Sequence, residues 1–377
     1  MWTGDCAGQG WGINPDLGGM VCWETMRRTE PDFFLFSGDT VYADGPLLPE
    51  VTLADGSIWR NIVTPEKSKV AETLDEFRGQ WKYNLMDENV RRFNAEVPVI
   101  VQWDDHEVTN NWYPGETLTN TGGDARYTVK DVNTLVARSA QAFHEYFPMG
   151  PTTERRGRVY RQVSYGPMLD VFVIDMRTFR GPNTANKQTV AGPDTAFLGT
   201  EQINWLLRGL ERSKATWKVI AADMPIGLQV PDGPNWEAVA NDDNGAPLGR
   251  ELEMAHLLSE MKRRRISNVV WLTADVHYAA AHHYHPDRAQ FKDFDPFWEF
   301  VSGPVHAGTF GPNALDTTFG IEVVYQKASL FPNMPPSDGY QFFGVVDIES
   351  GGDMVVRLVD TAGTELFAQR LEPSRRR

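Results

Sequence analysis

Val97-Pro-Val-Ile-Val-Gln-Trp-Asp-Asp-His-Glu107 is an apolar segment of strand length that stops abruptly in two carboxylates, an imidazole and a third carboxylate. A strand rich in Val and Ile is buried on both faces, so the residues after it emerge at the carboxyl edge of the sheet, where ligands bind in open α/β sheets. Two more segments share this grammar. Asp32-Phe-Phe-Leu-Phe-Ser runs into Gly38-Asp39-Thr-Val-Tyr42-Ala-Asp44, and Asn268-Val-Val-Trp-Leu-Thr runs into Ala274-Asp275-Val-His277-Tyr278. A single Asp-His pair is ordinarily a salt-bridged loop, but the same pattern at three strand ends points to one metal-binding edge. If Asp39, Asp105 and Asp275 converge to about 4 Å, each pair repels by roughly 4 kcal/mol at an effective dielectric near 20. Such a cluster requires bound cations.

The chain has 377 residues, 41% of them hydrophobic and 23% charged, with 12 Trp, which is enough for a large buried core. A formal charge of −15 argues against a nucleic-acid groove or an anionic membrane surface as the main partner. No apolar run approaches the ~20 residues that span a bilayer. Cys6 and Cys22 are the two cysteines, and a disulfide between them is the simplest reading. The terminal Arg375-Arg-Arg reads as a solvated tail. Gly4-Asp-Cys6 leaves no room for a full strand before it, so an upstream segment is expected.

Helical periodicity is expected between Pro65 and Asn94, from Lys130 to Tyr146, through Ile203 to Leu210 with Thr200 as N-cap, and over about 249–264. Residues 158–176 read as a β-hairpin around Gly166-Pro167, and Trp217-Lys-Val-Ile-Ala-Ala as a further strand. Trp112 to Asp131 reads as a long loop just past the Asp-Asp-His segment, where a pocket lining is expected. From 339 to 371 the chain reads as consecutive antiparallel strands. Strands alternating with helices and then a β-meander predict two packed sheets with helices outside.

At i and i+2 on an extended strand, Asp275 and His277 would point the same way and reach two neighbouring metals. Asp39 follows a glycine that permits a tight turn, and a carboxylate there can bridge two cations. Tyr42 is either a packing residue or, as phenolate, a ligand suited to ferric iron. Together with Cys6 and Asp39 it would bring three negative charges to a trivalent ion. Oxygen donors from Asp105, Asn110 or Asn111, and Asp275 suit a harder divalent ion, Mg²⁺ or Ca²⁺. His106, next to Asp105, either supports that ligand or faces the open side of the metals and protonates a leaving oxygen. His282-His283-Tyr284-His285 is expected in a loop or edge in a solvated or supporting role, and His144, His256 and His306 as structural. Metals at such an edge would orient an oxyanion, activate water and steady a leaving alkoxide, which describes phosphate-ester hydrolysis.

On Gly4-Asp-Cys6, Gly38-Asp39-Thr-Val-Tyr42-Ala-Asp44, Trp103-Asp-Asp105-His106-Glu107 and Trp271-Leu-Thr-Ala-Asp275-Val-His277-Tyr278, the sequence resembles the PhoD-like alkaline phosphatases of the calcineurin-like metallophosphoesterase superfamily. The resemblance runs over nearly the whole chain. It implies an αββα sandwich of two mixed sheets, with the C-terminal strands (339–372) completing one sheet, all within a single catalytic domain over 1–377. It implies phosphomonoesterase and phosphodiesterase activity by attack of a metal-bound water or hydroxide on phosphorus, with Fe³⁺ and Ca²⁺ as cofactors and Mg²⁺, Mn²⁺ or Zn²⁺ as alternatives. Cys6, Asp39, Tyr42 and His277 would bind iron. Asp39, Asp105 or a following Asn, and Asp275 would bind the second ion. His106 and Asp105 would act in catalysis, with His106 and Asn110 at the substrate. Asp223 stands where the wider superfamily has a His, a departure that favours a harder second metal. The resemblance also implies a secreted or periplasmic monomer acting on a small-molecule or lipid phosphate ester, although neither the twin-arginine leader nor the β-rich leading domain common among such proteins is read here. Rival readings are a phospholipase D-like phosphodiesterase and a non-catalytic ion-binding module.

Overall fold

A computed structural model describes residues 1–149 and 158–374; the terminal arginines lie outside them. In chain order the first strands are β1 (Trp2–Thr3), β2 (Phe34–Ser37), the hairpin β3 (Glu50–Thr52) and β4 (Ile58–Arg60), β5 (Val99–Gln102), β6 (Arg161–Tyr165), β7 (Leu169–Val173) and β8 (Trp217–Ala221). Next come the short hairpin β9 (Pro231–Asp232) and β10 (Asn235–Trp236), then β11 (Val269–Thr273), β12 (Ala279–Tyr284), β13 (Phe297–Val301), β14 (Ile321–Lys327), β15 (Phe342–Ile348), β16 (Met354–Asp360) and β17 (Glu365–Leu371). The helices are α1 (Val21–Arg27), α2 (Leu74–Asn84), α3 (Glu88–Glu96), α4 (Val132–Tyr146), α5 (Thr200–Arg212) and α6 (Glu251–Arg263).

Two sheets carry the fold, one ordered β17-β16-β15-β1-β2-β5 and one ordered β14-β12-β13-β11-β8-β7-β6. β1, β2 and β5 run parallel in the first sheet, and β7, β8, β11 and β13 in the second. Alternation along these strands explains the layering. Leu35, Val171, Val173, Val219, Val270 and Leu272 meet in one cluster between the sheets. Their sequence neighbours Phe34 and Phe36 pack outward under the first helical layer, and Phe172, Ile220 and Trp271 under the second. The result is the expected αββα sandwich, with the C-terminal strands completing the first sheet.

Local signals set the helix ends. Thr73 and Glu76 form a reciprocal capping box on α2, and Asp87 and Asp131 cap α3 and α4 through their carboxylates. The expectation fails at α5: Thr200 is already inside the helix, and the residue before it is Gly199 at φ 76°. There the Glu253 carboxylate takes the N–H groups of Phe197, Leu198 and Gly199, at 2.7, 2.7 and 3.1 Å, replacing a side-chain cap. Cys6 and Cys22 are both free and buried, so the simplest reading of the pair, a disulfide, does not hold. Of the histidine-rich segment, His282, His283 and Tyr284 are not at an edge or in a loop, because β12 lies between β13 and β14, whereas His285 follows the strand. Among the described residues no helix is long and apolar enough to cross a membrane.

Candidate metal centre

Parallel strands put their carboxyl ends on one side, and both sheets open toward the same cavity. β1 leads to Asp5, β2 to Asp39 and Tyr42, β5 to Asp104–Glu107, β8 to Asp223, and β11 to Asp275 and His277. The cavity, about 560 Å³, is lined by Asp39, Asp105, His106, Asn110, Asn111, Asp275 and His277, with Val230, Pro231, Phe310 and Pro312 at its apolar side.

The turns that present these groups need unusual backbone. Asp5, Asp39, Asn111, Asp275 and His277 all adopt positive φ, at 68°, 48°, 57°, 66° and 58°. Backbone strain of this kind persists only where surrounding contacts impose it, and it concentrates at functional sites. Asp275 and His277 therefore do not lie on an extended strand; β11 ends at Thr273 and they are carried by a tight turn. At Gly38 (φ 81°) a Cβ would sit 2.7 Å from Asp104 Cβ, so the two strand-end loops can approach only without it.

The side chains form two groups that share one member. Oxygen and nitrogen atoms of Asp5, Asp39 and His277 lie within 4.8 Å of one another, as do those of Asp39, Asp105 and His106. Tyr42 Oη is 2.9 Å from His277 Nε2, while His277 Nδ1 bonds the Gly308 carbonyl. That carbonyl can only accept, so Nδ1 carries the proton and Nε2 offers its lone pair. Burial pushes His277 down to about 4, which keeps it neutral and able to ligate. His106 is pinned by Asp44, whose two oxygens lie 2.8 and 2.9 Å from Nδ1, and its ring packs on Tyr42 at 4.3 Å. Burial opposes its charge, but Asp105 and Asp44 outweigh burial and raise it to about 10.

Burial and mutual repulsion hold Asp5, Asp39 and Asp275 well above the usual carboxylate range. Asp5 is fully buried, yet among the described residues neither of its oxygens has a hydrogen-bond partner; the same holds for Asp223. Orphaned, crowded carboxylates of this kind fit cations.

The structure differs from the sequence reading on Cys6. Its thiol turns into the core, 3.7 Å from Met20 Sδ, and burial raises its pKa above the usual thiol range. Asp5, its neighbour, is the residue that lies close to Asp39 and His277. The positive φ at Asp5 reverses the strand alternation one residue early, a step hidden behind the more conspicuous cysteine. Arg177 is a further site residue that the sequence reading does not single out. Fully buried, it lies 2.5 Å from Asp104, 2.5 Å from Glu237, 3.8 Å from Asp105 and 4.0 Å from Asp223. It follows β7 as Asp175-Met-Arg177, the same strand-end grammar with a cation in place of an anion. Asp223 thus faces Arg177 and Asp104 and falls outside both tight groups, as does Asp275, which lines the cavity. Glu107 stitches the loops together by accepting from Thr40 N, Thr40 Oγ1 and Asp104 N at 2.6, 2.7 and 2.8 Å.

Fold and site together define a class: an αββα sandwich whose two sheets present a cation-demanding carboxylate centre at a common carboxyl edge. The profile of the PhoD-like phosphatases matches residues 2–357, and the chain belongs to that family. Alkaline phosphatase D of Bacillus subtilis (strain 168) is 28% identical to it over 307 residues, covering 77% of this chain and 49% of that relative. The chain thus spans about half the length of the curated relative it matches. A solved structure of PhoD superposes with a TM-score of 0.63 at 19% identity, covering 99% of this chain and 72% of that one, which shows a shared fold.

Proposed function

We propose that residues 1–377 act as one catalytic domain, a metal-dependent phosphoesterase. The observation that carries this reading is Asp39, which belongs to both ligand groups at the cavity. A carboxylate so placed suits a bridge between two ions. Asp5, Asp39, Tyr42 and His277 would hold a ferric ion, since carboxylate, phenolate and imidazole donors match it. Asp39, Asp105, Asn110 or Asn111, and Asp275 would hold the harder Ca²⁺, with Mg²⁺, Mn²⁺ or Zn²⁺ as alternatives. Bound cations supply Lewis acidity and a lowered pKa for water.

The chain's own groups do the rest. With Nδ1 committed to Asp44, His106 keeps Nε2 for the cavity, and as imidazolium it gives a proton to the departing alcohol oxygen. Asp44 holds the ring in that orientation and also accepts the Asn110 N–H at 3.0 Å. The Asn110 carboxamide lines the cavity, where it donates to a phosphate oxygen. Val230, Pro231, Phe310 and Pro312 offer apolar surface to the organic part of the ester, which favours diesters, a lipid head group among them, as a second reading. Export and a monomeric state are proposed on the resemblance to the family.

Asp39→Asn should abolish turnover of p-nitrophenyl phosphate and bis-p-nitrophenyl phosphate and lower the bound metal measured by elemental analysis. The purified protein should show a tyrosinate-to-iron absorption band that Tyr42→Phe removes. Metal binding without cleavage of either ester would replace this reading with a non-catalytic ion-binding module.

A further inference from the structure

The short hairpin of β9 and β10 forms one wall of the cavity through Val230, Pro231 and Glu237, and it is latched to the loop after β5 by amide chemistry. Asn111 Nδ2 donates to Asp232 Oδ1 at 3.1 Å. Asn183 Nδ2 donates both to Asp232 Oδ2 at 2.9 Å and to the Asn111 carbonyl at 2.8 Å. Asn183 Oδ1 in turn accepts from the buried guanidiniums of Arg180 and Arg250, at 2.9 and 2.8 Å. Every polar atom of the Asn183 carboxamide is therefore used, which fixes the latch in one arrangement. The consequence reaches the metal centre, because the Asn111 N–H, held at φ 57°, donates to Asp105 Oδ2 at 2.5 Å.

We propose that Asp232 and Asn183 are positioning residues for the second, harder ion, a proposal that rests on the reading of Asp105 and Asn111 as its ligands. Asp232 claims the amide nitrogen of Asn111, which reserves the carboxamide Oδ1 as the ligating atom. Asn183 holds the Asn111 backbone so that its N–H keeps one Asp105 oxygen in place. Residues that orient ligands in this way typically change metal affinity by about 10- to 100-fold when replaced.

Asp232→Asn tests this with the full chain and Ca²⁺ alone as probe. Asparagine offers one acceptor oxygen where aspartate offers two, so Asn111 or Asn183 loses its partner, and a flipped Asn111 would present NH₂ to the ion. Calorimetric Ca²⁺ affinity should fall by about tenfold or more while the iron absorption band is unchanged. Asn183→Ala, which removes the latch without touching the cavity lining, should show the same split. Unchanged Ca²⁺ affinity in both, with Asn111→Ala weakening it, would overturn the positioning role and leave the ligand assignment standing. Unchanged affinity in Asn111→Ala as well would remove the assignment together with the proposal. Loss of the iron band along with Ca²⁺ binding would mark a general structural defect and also count against it.

Discussion

Asp39, Tyr42 and His277 at the cavity and Glu299, Tyr284 and His282 inside the seven-stranded sheet are matched kinds of group, an acid, a phenol and an imidazole, in two settings. All six are buried. Glu299 accepts from His282 Nδ1 at 3.0 Å, from Tyr284 Oη at 2.8 Å and from the Ile226 N–H at 2.8 Å, so both its oxygens are used. Its partners His282 and Tyr284 sit within β12, whose register against β14 shifts between Ala281 and His282. At the cavity, by contrast, Asp39 and His277 stand on left-handed turns past the strand ends, and the neighbouring Asp5 carboxylate has no hydrogen-bond partner among the described residues. Residue type and burial do not separate chemistry from architecture here, nor does the pairing of every atom, since His282 Nε2 is itself unpaired among the described residues; the carboxylates do, satisfied at Glu299 in the sheet and orphaned at Asp5 by the cavity.

The contrast can be broken most forcefully at Asp5. Asp5→Asn should cost several kcal/mol of transition-state stabilisation, on the order of 10³-fold in turnover, and should deplete iron by elemental analysis. Cys6→Ser should leave both within a few-fold. The reverse pattern would return the iron site to the thiol. At the closed cluster, Glu299→Ala strands three donors in the core and should lower stability by about 2–4 kcal/mol in urea titrations. Metal content per folded molecule should stay constant, and a drop would show that the two clusters are not independent.

The smallest effect concerns a third acid. Glu251 on α6 is buried beside Asp316 and accepts from Asn241 Nδ2 at 3.1 Å and Leu248 N at 3.0 Å. Burial first, and then Asp316, raise it to about 9. A carboxyl whose folded pKa exceeds its unfolded value binds the proton longer in the native state, so stability falls as pH rises between about 4.5 and 9 and levels off above. Glu251→Gln should flatten that fall, leaving Tm a few degrees less sensitive between about pH 6 and pH 9. An unchanged slope would assign the pH dependence to the cavity carboxylates instead.

Much of this architecture is legible in the chain. Apolar runs ending in Asp, His and Tyr announce strand ends, and parallel strands necessarily deliver their ends to one edge. The side to which each terminal residue points is not legible, because it depends on backbone handedness over one or two residues. That is why Cys6 stands out in the sequence where Asp5 stands beside Asp39 and His277 in the structure, and why the spacing of Asp275 and His277 suggests a strand that is a turn. Arg177 escapes notice because a lone arginine after a strand has no distinctive spacing; its role is visible only once Asp104, Asp223 and Glu237 surround it. The helix cap at Gly199 comes from Glu253, a helix away in sequence.

β1 is only two residues long, and it is held on one flank by β2 and on the other by β15, with Trp2 opposite Gly344. A Cβ at Gly344 would lie 2.0 Å from the Trp2 ring, so the pairing admits almost nothing else. Asp5 hangs from this short strand. During synthesis the first strand gains its second partner only when more than three hundred further residues have left the ribosome, so a chain cut before residue 342 would keep every proposed ligand yet hold the strand that carries the first of them on one flank only.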